Sequence, residues 1–518
     1  MSRRAQCGEH ASASHWRPAV NVGPSPTAAG TREASRELSA GDTSLPIVIQ
    51  GGMGVAVSSW PLARAVARTG QLGVVSGTAL DAVLARRLQD GDPGGHLRRA
   101  MDHFPVSEIA ERVLARYFRP TGRMPGQSYA PIPKPSLRPT HASQELAVVG
   151  NFAEVWLAKD GHEGAVGINY LEKVQLATLP AAYGAMLAGV DYVLMGAGIP
   201  KEIPRLLTDL ARHSVGRLSV DVHGAATPAI VELDPVALLG ASLPPLRRPR
   251  FLAIVSAHVL ASYLARDPDT RPDGFVVEGP RAGGHNAPPR GPLRLDDDHQ
   301  PVYGPRDEAD LEKIAALGLP FWLAGTYGTP DQVVAARRAG AAGVQVGTVF
   351  ALSAESGITS ALRRQLLERL GEDKLEVVTD AFASPTGFPF KVARLPETLA
   401  DGAAYDARPR LCDLGYLRQA YVREGGDIGY RCASEPVEIY VRKGGAAEDT
   451  VGRKCLCNAL TANVGIAQTR RSGYTELPLV TLGSDLGGAR ALLREHPNGW
   501  TAGEAVAWLV AAVVARAA

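Results

Sequence analysis

From residue 46 to about residue 356, short and nearly uninterrupted apolar runs alternate with longer segments of helical periodicity. The runs lie at 47–50, 72–77, 165–169, 192–195, 251–256, 274–277, 320–324 and 343–347. They are apolar at successive rather than alternate positions, which is the pattern of a strand buried on both faces. Helical periodicity follows the first two runs at 61–68 and 80–88. Such strands joined through helices predict an α/β fold with a parallel sheet, and eight units predict a (β/α)₈ TIM barrel. A doubly wound open sheet is the competing architecture.

Three stretches depart from the alternation. Residues 94–163 hold a helical piece at 106–117 and a proline-rich loop at 120–139. An insertion of this kind reads as a lid-like, substrate-selecting element or as packing on the barrel. Residues 217–249 read as an extra strand and a connection. After about residue 361 the alternation stops, giving a helix at 362–370, a mixed segment at 387–392 and an alanine-rich helix at 504–518. The expected organisation is a disordered leader at 1–44, a barrel at 45–360 with an insertion at 94–163, and a C-terminal accessory region at 361–518.

Composition adds bounds. The 518 residues are 45% hydrophobic and 21% charged with a formal net charge of +2, ordinary for a globular protein. That balance gives no reason to expect nucleic acid or a membrane as partner; a small-molecule substrate is expected instead. No apolar run reaches the roughly 18–20 residues of a membrane span. No apolar stretch follows Arg3 and Arg4, so a cytoplasmic protein is expected.

Barrel chemistry sits at the C-terminal ends of the strands. Those ends carry Gln50, Gly51, Gly52 and Met53, then Asn169, then Glu278-Gly-Pro-Arg-Ala-Gly-Gly-His285, then Gly325 and Thr326, then Gly347 and Thr348. Loops after strands seven and eight commonly hold a phosphate with backbone N–H groups. There, Thr329 and Pro330 have the chemistry of a helix start. Gly51 and Gly52 permit close approach to a planar ring. Asn169 offers a donor and an acceptor for a ring edge, or else makes a turn. Taken alone, Gly283-Gly284-His285 reads as a glycine-rich turn with a solvated histidine. Together these strand ends describe a flavin mononucleotide (FMN) site with His285 as its acid–base group. His223 reads as a structural or solvated residue or else as a catalytic one, His258 as a local packing residue, and Lys173 and Gln175 as a solvated helix start or as contacts to cofactor or substrate. The arginines of the insertion read as a solvated face, or as a greeting for an anionic substrate or carrier.

Gln50-Gly-Gly-Met-Gly54, Gly167-Ile-Asn169, Glu278 to His285, Ala324-Gly325-Thr326 and Val344-Gln-Val-Gly-Thr348 resemble the nitronate monooxygenase family. That family also includes flavin-dependent enoyl-acyl-carrier-protein reductases and NADH:quinone reductases. The resemblance covers roughly residues 46–360. It implies a (β/α)₈ barrel, non-covalent FMN, and a flavin-facing His285 that assists proton transfer. It implies a nitronate monooxygenase-like activity, in which O2 oxidises a nitronate to a carbonyl compound and nitrite. The alternative is an NAD(P)H-dependent enoyl reductase of a fatty-acid or polyketide pathway, with an acyl carrier protein as partner. A third reading is a non-catalytic flavin- or metal-binding partner protein. The chain departs from many relatives after strand seven, where Ala-Gly-Thr-Tyr-Gly replaces two adjacent glycines. It departs again at Ile254-Val-Ser256, where some relatives place a lysine.

Cys412, Cys432, Cys455 and Cys457 fall in one stretch and are potential thiolate ligands for zinc or an iron–sulfur cluster. Their spacing is that of neither a zinc finger nor a ferredoxin. The other reading is four reduced thiols packed as small apolar groups.

Overall fold

A computed structural model describes residues 45–517; the leader expected at 1–44 lies outside them. Eight parallel strands close into a barrel: Val48–Gln50, Leu72–Ser76, Val166–Leu171, Tyr192–Gly196, Arg250–Val255, Gly274–Glu278, Phe321–Ala324 and Gly343–Val346. Each pairs with its neighbours in sequence. The eighth returns to the first through the pairs Val48–Val344 and Gln50–Val346. The eight expected strands are the eight observed ones, and the open sheet is excluded by this closure.

The barrel interior is a separate core built from Ile49, Leu72, Val74, Leu194, Leu252, Val276 and Trp322. Trp322 is wholly buried, and its indole N–H donates to Pro46 O at 2.7 Å. A filled interior of branched and aromatic side chains makes the barrel a rigid plug rather than a pore. The outer faces of the strands pack against the helices in a second, larger core.

Three findings differ from the sequence reading. First, a 19-residue helix, His141–Lys159, ends the stretch taken as insertion. It packs on helices Gln175–Leu187, Leu80–Gln89 and Trp60–Ala67 and so belongs to the barrel's outer layer. It is buried almost around its whole circumference, Glu145, Asn151 and Glu154 included, so it lacks the one-sided apolar stripe that betrays a surface helix. Second, the extra strand expected within 217–249 is an antiparallel hairpin, Gly216–Val220 with Ala229–Leu233, followed by the short helix Pro235–Leu239.

Third, the final helix, Ala502–Ala517, packs against Pro330–Arg338 and Trp60–Ala67. That is the place of the eighth barrel helix. The residues between strand eight and this helix are therefore spliced into the last βα unit. They carry two small antiparallel pairs, Val377–Asp380 with Phe390–Ala393 and Gln419–Val422 with Ile428–Arg431.

This spliced segment and the proline-rich loop hold each other. Tyr129 N–H donates to Gln468 Oε1 at 2.8 Å, and Gln468 Nε2 donates back to Tyr129 O at 3.2 Å. Leu137 N–H donates to the Tyr430 hydroxyl at 2.8 Å. From the barrel side, Arg86 reaches Thr461 Oγ1 and Ile466 O at 3.0 and 2.8 Å. Arg98, Arg99, Arg112 and Arg123 of the insertion are engaged in ion pairs with Asp92, Asp160, Glu145 and Asp90. Among the described residues no helix is long and apolar enough to cross a membrane.

Trp500 anchors the return of the chain to the barrel. It is 2% exposed and donates its indole N–H to Val349 O at 2.9 Å, one residue past Thr348. Trp500→Ala is expected to cost about 3–5 kcal/mol, read as a lowered urea midpoint. An unchanged midpoint would show that this docking contributes nothing to stability.

Candidate functional site

The C-terminal ends of the strands open into one cavity with two connected halves. Gly52, Gly54, Glu278, Gly283, Gly284, Gln345 and Thr481 line both. The first half is walled by the loops after strands one, six, seven and eight: Gly51 to Gly54, Ala282 to Gly284, Gly325 to Gly328, and Gly347 to Val349. A fifth wall comes from the spliced segment, through Thr481 to Gly483, Asp485 and Gly488.

Local sequence explains why these loops are shaped for a ligand. After strand seven, Thr329 caps helix Pro330–Arg338 in a reciprocal capping box with Gln332, as Thr329 and Pro330 predict. After strand eight, Gly347 caps the short helix Thr348–Ala351. Both loops therefore bring helix N-termini to the cavity. Gly325 has φ of 108°, and a Cβ there would sit 3.2 Å from Gly279 O. At Gly52 a Cβ would lie 2.4 Å from Asn169 Cβ, so only glycine lets strands one and three approach at the rim.

Of the twelve residues expected to bind a cofactor, eleven line the cavity. Gly51, Gly52, Met53, Glu278, Gly283, Gly284, Gly325, Thr326, Gly347 and Thr348 line the first half, and Asn169 lines the second. Gln50 is not brought there. It is wholly buried, donating to Ser58 Oγ at 2.9 Å and accepting Val74 N–H at 3.0 Å. Its amide is consumed in fastening the strand-one loop to strand two, which makes it a support for Gly51 and Gly52.

The second half is lined by Val55, Leu171, Ile254, Phe390, Leu417 and Leu460 among others, with His285 in its wall. Leu417, Leu456, Cys457 and Leu460 come from the spliced segment. No residue of 94–163 lines either half, so the insertion supports the wall rather than forming a lid over it. His223 pairs instead with Tyr421, and His258 begins helix His258–Ala265. Lys173 stands nearer, with its ammonium 4.9 Å from the Phe388 ring centre.

Burial sets the charge of Glu278 and His285, which face the cavity. It pushes the Glu278 carboxyl up to about 8, so the group keeps its proton at neutral pH. It pushes the His285 imidazole down to about 4, helped by the Lys173 charge, so the ring is neutral. A third polar group was missed at the sequence level. Gln345 Oε1 is buried without a hydrogen-bond partner and belongs to a residue lining both halves. An unpartnered buried acceptor is costly, so it marks where a ligand N–H fits. Its signal was a polar residue inside an otherwise apolar barrel strand.

The four C-terminal cysteines do come together around one small cavity with Leu411, Leu414, Leu417 and Leu456. All four are free thiols. Among the described residues, no group of three or more histidine, cysteine or acidic side chains is arranged to hold a metal ion. Zinc or an iron–sulfur cluster on Cys412, Cys432, Cys455 and Cys457 thus finds no support in this arrangement. Leucines surround the thiols, and burial pushes Cys455 up to about 11, which favours the protonated, packed state over a thiolate. Cys412 differs, being drawn down to about 7 by the neighbouring Cys432 thiol.

Residues 251–392 match the family model described as nitronate monooxygenase. A curated relative from Mycobacterium tuberculosis, (3aS,4S,5R,7aS)-5-hydroxy-7a-methyl-1-oxo-octahydro-1H-indene-4-carboxyl-CoA dehydrogenase, is 32% identical over 133 residues. That alignment covers 25% of this chain and 33% of the relative, so the chain matches a third of the relative's length. Among solved structures, FabK from Thermotoga maritima is 16% identical with a TM-score of 0.45, covering 91% of this chain and 94% of that one. Nitroalkane oxidase from Streptomyces ansochromogenes is 17% identical with a TM-score of 0.40, covering 92% and 98%.

The Glu278 shift has a measurable consequence. An unfolded glutamate releases its proton near 4.5 while the folded one holds it to about 8. Across that window the unfolded chain gains charge that the native state does not, so Glu278 lowers stability as pH rises. Glu278→Gln is expected to remove this component, so that urea midpoints fall less between about pH 5 and about pH 8 than in the unsubstituted protein. Parallel pH slopes in the two proteins would show that Glu278 titrates normally.

Proposed function

We propose that this protein is an FMN-dependent oxidoreductase of the nitronate monooxygenase family, whose model its residues 251–392 match. The observation that carries the reading is a glycine-walled half-cavity at the strand-seven and strand-eight loops. It is continuous with an apolar half that holds His285. Bound there, FMN supplies reversible hydride or electron transfer at its ring.

The chain's own groups fit that cofactor. The phosphate would meet backbone N–H groups at Gly325, Thr326, Gly347 and Thr348, since no lysine or arginine lines this half. The ring would meet the unpartnered Gln345 Oε1 as an acceptor for a ring N–H. Glu278, holding its proton, offers a neutral donor. Gly52 keeps the wall thin enough for the ring to lie against the backbone. The apolar lining excludes water from the reacting face, which strengthens each of these polar contacts.

Of the two reactions the resemblance raises, the substrate half favours reduction of an uncharged, conjugated carbon–carbon double bond. Its lining carries no lysine or arginine, much of it is apolar, and Glu278 and His285 within it are neutral near pH 7. An anionic nitronate has no counter-charge in that lining. Nitronate oxidation is the second reading, favoured by the family match and by the Lys173 ammonium beside Phe388. In either reaction His285 is the group placed to hold a proton or a hydrogen bond against the substrate.

Purified protein should be yellow or take up FMN, and anaerobic NADPH should bleach the flavin bands. Bleaching by a nitronate with no response to NADPH would reverse the order of the two reactions, and a protein that takes up no FMN would sink both. His285→Ala should retain FMN and lose about 10²–10⁴-fold in turnover.

A further inference from the structure

His285 stands in the cavity wall with one ring nitrogen already committed. Its Nε2 lies 2.7 Å from Ser384 Oγ, across 99 residues of sequence. Ser384 is wholly buried and belongs to the spliced segment. Among the described hydrogen bonds, the other ring nitrogen, Nδ1, has no protein partner. The ring itself is braced by the edge of Phe390, at 4.9 Å between centres and 71° between planes. The His285 backbone also bridges to Phe390.

The Ser384 hydroxyl is in turn held from two sides. Its Oγ lies 2.8 Å from Thr386 Oγ1 and accepts the Thr386 backbone N–H at 3.3 Å. Thr386 Oγ1 accepts the Phe388 N–H at 3.5 Å. The Ser384 carbonyl accepts from Arg453 Nη1 at 2.7 Å, which fixes the backbone of the turn.

Two proton arrangements fit these distances. In the first, His285 Nε2–H donates to Ser384 and Ser384 donates to Thr386, leaving the Thr386 hydroxyl proton without a protein acceptor. In the second, Thr386 donates to Ser384 and Ser384 donates to Nε2. Both hydroxyl protons are then used, and the Ser384 oxygen fills its two lone pairs with the Thr386 N–H and O–H. The one donor then left open is Nδ1–H of His285, which lines the cavity where a bound oxygen can accept it; in the first arrangement it is the hydroxyl of Thr386, which lines neither half.

We infer that Ser384 is a positioning residue that holds His285 Nε2 as an acceptor and leaves Nδ1–H as the group presented to the substrate. This rests on the reading of the cavity as the reaction site. It gives His285 a direction: a neutral imidazole donating a hydrogen bond to a substrate carbonyl oxygen, rather than a base taking a proton from carbon. Neutral imidazole used as a hydrogen-bond donor is an established catalytic device. The proton stays on Nδ1 while charge builds on the substrate oxygen, so no titration of the ring near neutral pH is required.

The test is ¹⁵N NMR of the full-length protein labelled at histidine, with the His285 signals identified by their loss in His285→Ala. The expected spectrum has a protonated Nδ1 and an unprotonated Nε2 at His285. Ser384→Ala should shift these signals toward a tautomer mixture and lower kcat about 10–100-fold, as supports of an imidazole do elsewhere. FMN uptake and KM should change little, and Ser384→Thr should restore both the tautomer and most of the kcat. A protonated Nε2 in the unsubstituted protein would overturn the inference. So would ¹⁵N shifts and kcat that ignore Ser384→Ala. If the tautomer is as expected but His285→Ala turns over normally, the reading of the reaction site fails and the role of Ser384 in holding the ring stands.

Discussion

Closing a sheet of eight parallel strands makes every strand end on the same rim, and the rest of this protein depends on that constraint. The strand ends and loops that carry Gly51, Asn169, Glu278, Gly325 and Gly347 are far apart in the chain, yet they share one mouth because the ladder leaves them nowhere else to emerge. The packed interior around Trp322 and Leu252 fixes the spacing of those ends. At such close quarters a single methyl group decides what is possible. With Asn169 Cβ beside Gly52, any larger residue would push strands one and three apart at the site where a ring must lie.

The spliced segment turns the rim into an enclosed cavity. Both of its ends are anchored in the barrel, one by strand eight and the other by the final helix, so it cannot detach without opening the last βα unit. Its cross-links are polar and specific: Arg86 to Thr461, Gln468 to Tyr129, and the buried Arg408–Glu476 pair with two contacts of 2.9 and 3.1 Å. Buried ion pairs of this kind add little net stability because both charges are desolvated. Their geometric demand is nevertheless strict, and it holds Leu417, Leu460 and Thr481 at the cavity wall.

Desolvation then sets the chemistry. The wall that buries Glu278 and His285 removes the charge from both, in opposite directions of pKa. Near neutral pH, an acid that keeps its proton and an imidazole that lacks one set neutral donors and acceptors against the substrate half. Such a site stabilises charge as it develops on a bound group without first having to compensate a charge of its own.

The strands, their order and most of the rim were legible in the sequence, because a doubly buried strand writes itself as a local apolar run and a close backbone approach writes itself as glycine. The long helix His141–Lys159 was not, since burial on all sides erases the periodicity that marks a helix. Gln50 looked like a ligand group and proved to be a fastener, because a glutamine's sequence does not say which way its amide turns. Contacts such as His285 with Ser384 across 99 residues, or Gly284 with Thr481 across 197, leave no local trace. By itself the sequence determined the barrel and which residue types stand on its rim, since both depend on short-range patterning. Only the tertiary structure decided which groups face the cavity, which are charged and what holds them, because those properties arise from packing between segments that the chain keeps far apart.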